Sequence, residues 1–482
     1  MLATTLLPYP SWLNAGDNSW QMTAATFVGL MSVPGLVILY GGVMQKRWSV
    51  NSMMLTFIAF AVVLVAWVLW AFKMGFGSPV HLFGAGSGSF FANLVGNPGS
   101  VLGHTGLQSQ AYIPLLSSGV SALFNSHSAG PGFIPGFRFP EASLVYFQFV
   151  FAAITPILML GSVLGRINYK AWIPFVLLWT TFIYAIDAFL IWGGGYFGAH
   201  GALDFSGGYV IHLSAGVSGF VAAFVIGPRL KRDREIDAPN NLLMVAAGAG
   251  LLWLGWNGFN GGDPYFAGAS ASAAVLNTNL CTAVAMLVWI GWDLIYKDKP
   301  SLIGSVNGMI TGLVAITPAA GLVNGYGAVI LGVVGATVVW MSIRYLSRVP
   351  PFRNVDDTLG VIYTHGIAGL VGGLMVGLLA DPNVYEYVGG GYLSGLFING
   401  SATLLRWQAE TALWVIVFSG VGTFILLKLV GLVIPLRATE QELEIGDHAI
   451  HGHEVYPADV ASLGSFGSPS LQPAPASGGG SA

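Results

Sequence analysis

Only 8% of the 482 residues are charged and 54% are hydrophobic, where a soluble domain carries roughly 25% charge. An ordinary water-soluble fold is thereby excluded. The net charge of −3 is silent on partners because so few charges exist, and the single cysteine, Cys281, excludes an intrachain disulfide. The N-terminus "MLATTLLPYPSWLNAGDNSW" lacks a basic n-region, so no cleaved signal peptide is expected.

Apolar runs of about 20 residues recur along the chain, each long enough to cross a hydrocarbon core of about 30 Å at 1.5 Å per residue. They predict an all-α polytopic membrane protein with eleven transmembrane helices. In chain order the spans are about 20–42, 52–74, 142–164, 171–192, 208–228, 241–260, 270–295, 302–318, 322–346, 359–379 and 410–435. The alternating pattern of a membrane β-barrel is absent. Residues 1–435 form the expected membrane domain. Residues 436–482 form a polar C-terminal region whose end, "SPSLQPAPASGGGSA", has the composition of a disordered segment. Long, Gly-rich loops fall at 75–140 and 380–409, the second containing "VGGGYLSG".

Fourteen of the eighteen basic residues fall in the loops after the odd-numbered spans, and Lys73, Arg138 and Arg406 lie opposite. The positive-inside rule then places the N-terminus outside and the C-terminus in the cytoplasm.

Span five contains "HLSAGVSGFVAAFVIG" from His212, and span ten "HGIAGLVGGLMVGLL" from His365. Five and ten cross in opposite directions, so spans 1–5 (about 20–228) and 6–10 (about 241–379) read as two inverted five-helix repeats, with an eleventh helix left over. Inverted repeats with polar groups at their shared interface are a recurring transporter architecture. A lone histidine here would read as a satisfied interior residue. Two at matching repeat positions point instead to a pathway, where imidazoles in contact can pass a proton or hold a small polar solute.

The stretches "NAGDNSWQMTAATFVGLMSVPGLVILYGG", "YFQFVFAAITPILMLGSVLGRINYKAW", "IWGGG", "GALDFSGGYVIHLSAGVSGF", "LLWLGWNGFNGG", "VLNTNL", "VDDTLGVIYTHGIAGLVGG" and "IPLRATEQELEIGDHAIHGHE" occur in that order. The chain resembles the Amt/Mep/Rh ammonium transporter family across about residues 14–456, nearest a Mep-like branch shared by a plant group and prokaryotes. The resemblance implies a pore in each subunit, with an outer cation site, paired phenylalanines and twin histidines. His212 and His365 match the twin histidines and would serve as a pore proton relay. Trp192 matches the outer-vestibule tryptophan, Phe151 and Phe259 the phenylalanine gate, and Asp204 the acidic residue beneath the outer site; Phe147 lies one turn before Phe151.

Asp263 stands where a serine is common. It would recruit the cation or sit on a loop in water. Asp187, on span four, maps to no known role; as an intramembrane acid it points to function or, equally, to an inter-subunit or vestibule-facing structural position. Asp204 would bind the cation directly, or cap helix five and act through space.

Aromatic faces attract a partly dehydrated cation, and acceptors favour NH₄⁺, with four donors, over K⁺. An apolar pore beyond the gate favours NH₃. Two modes follow: NH₄⁺ binding, deprotonation and NH₃ passage with a separate proton relay, or passive NH₃ conduction. An ammonium sensor with little flux is the rival from another class, and would need a separate signalling partner. Enzyme motifs such as HExxH and GxSxG are absent, so an enzyme is not expected. The implied partners are ammonium, ammonia and methylammonium, the lipid bilayer, a homotrimer in the cell membrane, and a PII-type cytoplasmic regulator. No cofactor, metal or nucleic acid is expected.

Overall fold

The computed structural model describes residues 10–84, 86, 89–117, 137–235, 238–384 and 393–456. The glycine run within "VGGGYLSG" and the expected disordered tail lie outside the described residues. Among the described residues, ten helices are long and apolar enough to cross a membrane, and an eleventh, shorter apolar helix fills the predicted eighth place. They are α1 Ala15–Val43, α2 Lys46–Phe76, α3 Glu141–Leu160, α4 Tyr169–Ala199, α5 Gly208–Ile226, α6 Leu242–Gly262, α7 Ala269–Ile295, α8 Leu302–Ile316, α9 Gly325–Arg348, α10 Ile362–Leu379 and α11 Thr403–Gly431. With 15 residues, α8 is only about 22 Å long. Its last turns are capped by Thr317 and continue as packed turns rather than helix.

The predicted boundaries hold to a few residues, except where turns at loop ends extend a helix. The two largest extensions carry α4 on to Ala199 and start α11 at Thr403.

Helices at corresponding places in the chain order pack together, α1 against α6 and α5 against α10. Small residues allow the approach. A Cβ on Gly216 of α5 would lie 2.4 Å from the Gly366 Cα of α10, so the backbones nearly touch. Glycine-mediated contact replaces the hydrophobic driving force that lipid cannot supply. The most buried span is α3, threaded through the centre of the bundle, whereas α11 shows a broad apolar face.

Both histidine-bearing helices open with a π-helical turn, Gly208–Leu213 in α5 and Ile362–Ile367 in α10. Such turns carry one extra residue per loop of hydrogen bonds and recur at functional sites. They turn His212 and His365 inward at matching points of the two halves.

The basic loops share the face that carries the C-terminal segment. Arg166, fully buried, bonds the carbonyls of Ser162 and Gly227 and the hydroxyl of Thr358, tying together the segments after α3, α5 and α9. Arg229 grips Asp356 through both its backbone and guanidinium. Burial works to raise the Asp356 carboxyl, but Arg229 and Arg166 outweigh it and hold the group below the usual carboxylate range. In the C-terminal segment, α12 (Glu440–Ile445) starts with a reciprocal Thr439–Glu442 cap, and α13 (Asp447–His451) follows. Asp447 accepts the backbone N–H groups of Val50 and Asn51 at 2.8 and 2.9 Å, while Arg47 donates to the carbonyls of Leu443 and Glu444. A segment distant in sequence thus caps the start of α2.

The α5–α10 crossing makes a direct prediction. Gly216→Leu places a side chain against backbone that cannot rotate away, and should cost about 3 kcal/mol, the upper end for overpacking. Thermal unfolding of purified protein checks it; an unshifted midpoint would show that the helices are not in contact there.

Candidate functional site, an aromatic file ending in two histidines

Five helices bring the candidate residues into a single file. Trp192 caps the regular helical run of α4 that closes at Ile191, and it meets Phe151 of α3 edge-on, with ring centroids 6.2 Å apart. Phe151 lies on Phe259 of α6 at 4.3 Å, and Phe147 sits one turn away from Phe151 at 4.8 Å. Below them Phe259 stacks on His212 of α5 at 5.9 Å, and His212 faces His365 of α10 at 5.6 Å. The two histidines, 153 residues apart in sequence, are therefore neighbours. His212 is fully buried, and neither of its ring nitrogens has a protein partner. His365 Nδ1 lies 2.9 Å from the Thr364 hydroxyl, which leaves the opposite nitrogen for whatever occupies the file.

Asp204 precedes α5 and folds back on it. Its Oδ1 accepts the N–H groups of Gly207 and Gly208 at 3.2 and 2.6 Å; its Oδ2 accepts those of Tyr209 and Val210 at 2.9 and 3.0 Å. Those are the donors that a helix start leaves unpaired. Four bonds fill the acceptor positions of a carboxylate, so this group is the cap, with no acceptor position left over. The Asp204 carbonyl also receives Trp192 Nε1 at 2.6 Å. One residue thereby fixes both the start of α5 and the indole at the mouth of the file.

Asp263 caps the end of α6, one turn beyond Phe259. The residue is partly exposed, but its Oδ2 is shielded from solvent and has no protein partner. Ser206 stands beside it and donates its hydroxyl to the Phe259 carbonyl at 2.9 Å. Asp263 therefore belongs to the mouth of the file, not to a solvated loop.

Asp187 does not. Fully buried, it accepts Trp414 Nε1 and the Ser419 hydroxyl, each at 3.1 Å, both from α11. It joins α4 to α11 inside one subunit, so neither a subunit boundary nor the vestibule accounts for it. A paired polar residue of this kind is a tolerable way to hold two helices together in lipid.

Several residues escaped the sequence reading. Trp256 stacks on His212 at 5.4 Å and anchors its indole N–H on Thr317 at 2.8 Å. It stands three residues before Phe259, the spacing that shares a helix face, so the signal was present. Asp357 is the counterpart of Asp204 in the second half. Each aspartate precedes its histidine by eight residues in the chain, and Asp357 Oδ2 accepts the Ile362 N–H at 2.8 Å. That repeated spacing was the legible signal. Gln148 and Tyr265 carried none. Gln148 Nε2 donates to the Tyr265 hydroxyl at 2.7 Å across 117 residues, a contact made only by the packing of α3 against the turn after α6. Among the described residues, no cluster of three metal-ligating side chains occurs.

Asp204→Ala would orphan four buried N–H groups, each worth about 1–3 kcal/mol. A loss of about 3 kcal/mol or more is expected in thermal unfolding, and Asp263→Ala should cost far less. Equal losses would contradict the division of roles.

With this geometry in place, comparison with known proteins is informative. A model of the Ammonium Transporter Family matches residues 19–456. "Ammonium transporter 2" of Arabidopsis thaliana is 49% identical over 454 residues, covering 93% of this chain and 89% of that protein. "Ammonium transporter 3 member 1" of Oryza sativa subsp. japonica is 46% identical over 457 residues, covering 93% and 88%. Among solved structures, Candida albicans Mep2 superposes with a TM-score of 0.74 at 27% identity, covering 89% of this chain and 88% of that one. Saccharomyces cerevisiae Mep2 gives 0.73 at 26%, with 89% of each covered. The chain belongs to the ammonium transporter family.

Proposed function

We propose that the protein moves ammonium nitrogen across the bilayer by stripping a proton from NH₄⁺ at the Trp192 mouth and passing NH₃ along the file to the histidine pair. The observation that carries this reading is the unbroken sequence of rings from Trp192 through Phe151 and Phe259 to His212 and His365. Trp192, Phe151, Asp204 and Asp263 act at the mouth as the cation site. Ring faces offer about 0.5–2 kcal/mol of cation–π attraction, and the carboxylates add favourable charge. Phe151, Phe259 and Phe147 close the way to water.

Beyond the gate the surroundings are apolar. Burying an isolated ammonium there costs far more than the aromatic faces return, whereas neutral NH₃ escapes that penalty. His212 has both a donor and an acceptor nitrogen to offer, so it can hand NH₃ towards His365 and relay a proton in the same direction. The proton then follows by that separate route, giving net uptake of NH₄⁺.

The wider reading places the protein in the cell membrane with its N-terminus outside, as the basic loops favour. It assembles as a homotrimer with a pore in each subunit, and the C-terminal segment is the platform for cytoplasmic regulation by a PII-type partner. Methylammonium fits the same chemistry.

Current recorded from reconstituted protein under an ammonium pulse tests the relay. Wild type should carry a current that His212→Ala and His365→Ala each abolish. Mutant currents equal to wild type would exclude the relay. Ammonium binding without current or ammonia flux in the wild type would make the protein a sensor.

A further inference from the structure

The mouth of the file holds two carboxylates in different chemical states of satisfaction. Asp204 is saturated: four backbone N–H groups occupy its two oxygens at 2.6–3.2 Å. Taking up a proton would sacrifice at least one of those bonds and leave a buried donor of α5 unpaired. Asp263 is not saturated. Its Oδ2 is buried without a protein partner, and the neighbouring Ser206 gives its one hydroxyl proton to the Phe259 carbonyl. A buried carboxylate oxygen with an open acceptor position needs a reason.

A second unpaired acceptor lies at the same level of the bundle. Gln148 is 1% exposed, and its Oε1 has no protein partner, because the amide spends its N–H on the Tyr265 hydroxyl. Gln148 is three residues before Phe151 on α3, and Tyr265 is two residues after Asp263. Two acceptors without donors, just above the Phe151–Phe259 pair, suit a guest that brings several donors of its own.

We propose that Asp263 Oδ2 is the base that deprotonates ammonium at the mouth of the file, with Asp204 holding positive charge there without taking the proton. The inference rests on the functional reading above and names the atom that performs its first step. In that step one N–H bond of NH₄⁺ breaks, its electron pair stays on nitrogen, and the proton forms an O–H bond on Oδ2. The products are NH₃ and a neutral carboxylic acid. NH₃ then faces the phenylalanine pair, and Gln148 Oε1 accepts one of its remaining hydrogens. The acid returns to carboxylate by giving its proton to water at the mouth, and that water is the next carrier in either transport mode.

Placement favours the step. Asp263 is one helical turn, about 6 Å, from Phe259, so the base stands beside the entrance to the apolar section. The charge is lost before desolvation becomes costly. The other titratable groups facing Asp263 are Asp204, Tyr184 of α4 and Tyr265. Asp17 and Arg138 form an ion pair beyond Ala267, whose N–H Asp17 accepts at 2.9 Å.

The experiment compares ammonium-driven uptake by wild type, Asp263→Asn, Asp263→Ala and Asp263→Glu in proteoliposomes, over a range of ammonium concentration and pH. Asparagine keeps an acceptor oxygen but cannot hold the proton. Its maximal rate should fall by about 100-fold or more, the scale of general base catalysis, beyond whatever rise in half-saturating concentration the lost charge brings. Asp263→Ala should show the same loss and serves should the asparagine variant misassemble. Asp263→Glu should recover part of the rate. Wild-type uptake should also decline at acid pH as the base is occupied, and this limb should vanish from the residual rate of Asp263→Asn. A wild type that conducts while Asp263→Asn keeps its maximal rate and acid limb overturns the proposal and leaves the functional reading intact. A wild type without uptake overturns the functional reading itself.

Discussion

The carboxylate of Asp204 and the four backbone N–H groups it gathers at the start of α5 are what the site is built on. Helix starts leave donors without acceptors, and at membrane depth water is not there to take them. Placing one aspartate at that point satisfies the donors and sets the π-helical turn that carries His212. The same residue's carbonyl holds the indole of Trp192. The mouth and the middle of the file are thus positioned by one side chain and its own backbone. Asp357 repeats the device for His365, with the Ile362 N–H as its donor.

Desolvation decides what can pass between those points. Around the histidines the walls are Trp256, Phe259 and packed aliphatic helices, a setting that penalises net charge heavily and a small neutral solute hardly at all. Ring faces compensate a cation only at the mouth, where carboxylates and vestibule water help. The proposed deprotonation is placed at the boundary between the two environments, where Asp263 and Gln148 sit. Opposite the mouth, the network of Arg166, Arg229 and Asp356 binds the loops to one another, and Asp447 ties the C-terminal segment to the start of α2. Movement of that segment would be felt by α2 directly.

Much of this was legible in the chain. Low charge and repeated apolar runs disclosed the number and order of the helices, because crossing a bilayer fixes both length and polarity. The echo between the His212 and His365 segments singled out the two histidines that the fold makes neighbours. The eight-residue interval from Asp204 to His212 recurs from Asp357 to His365, and reading it as closely as the histidines would have revealed the second cap. What could not be read depends on contacts between distant segments. Nothing local shows that Gln148 meets Tyr265, or that Asp187 serves α11 through Trp414 and Ser419. The state of Asp263 is a similar case: a carboxylate after a helix end is ordinarily solvated, and only the packing of α3 and α5 around it buries one oxygen. The π-helical turns left no signal that periodicity could detect.

Selectivity tests the central claim most directly, because a dry file that passes only the neutral molecule must refuse a cation of ammonium's size. Labelled ammonium uptake into proteoliposomes of purified protein should be measured with and without a large excess of K⁺, alongside K⁺ uptake itself. The account predicts saturable, protein-dependent ammonium uptake that K⁺ neither blocks nor follows. K⁺ entry at a rate comparable to ammonium would mean that bare cations cross the histidine pair, and would contradict it.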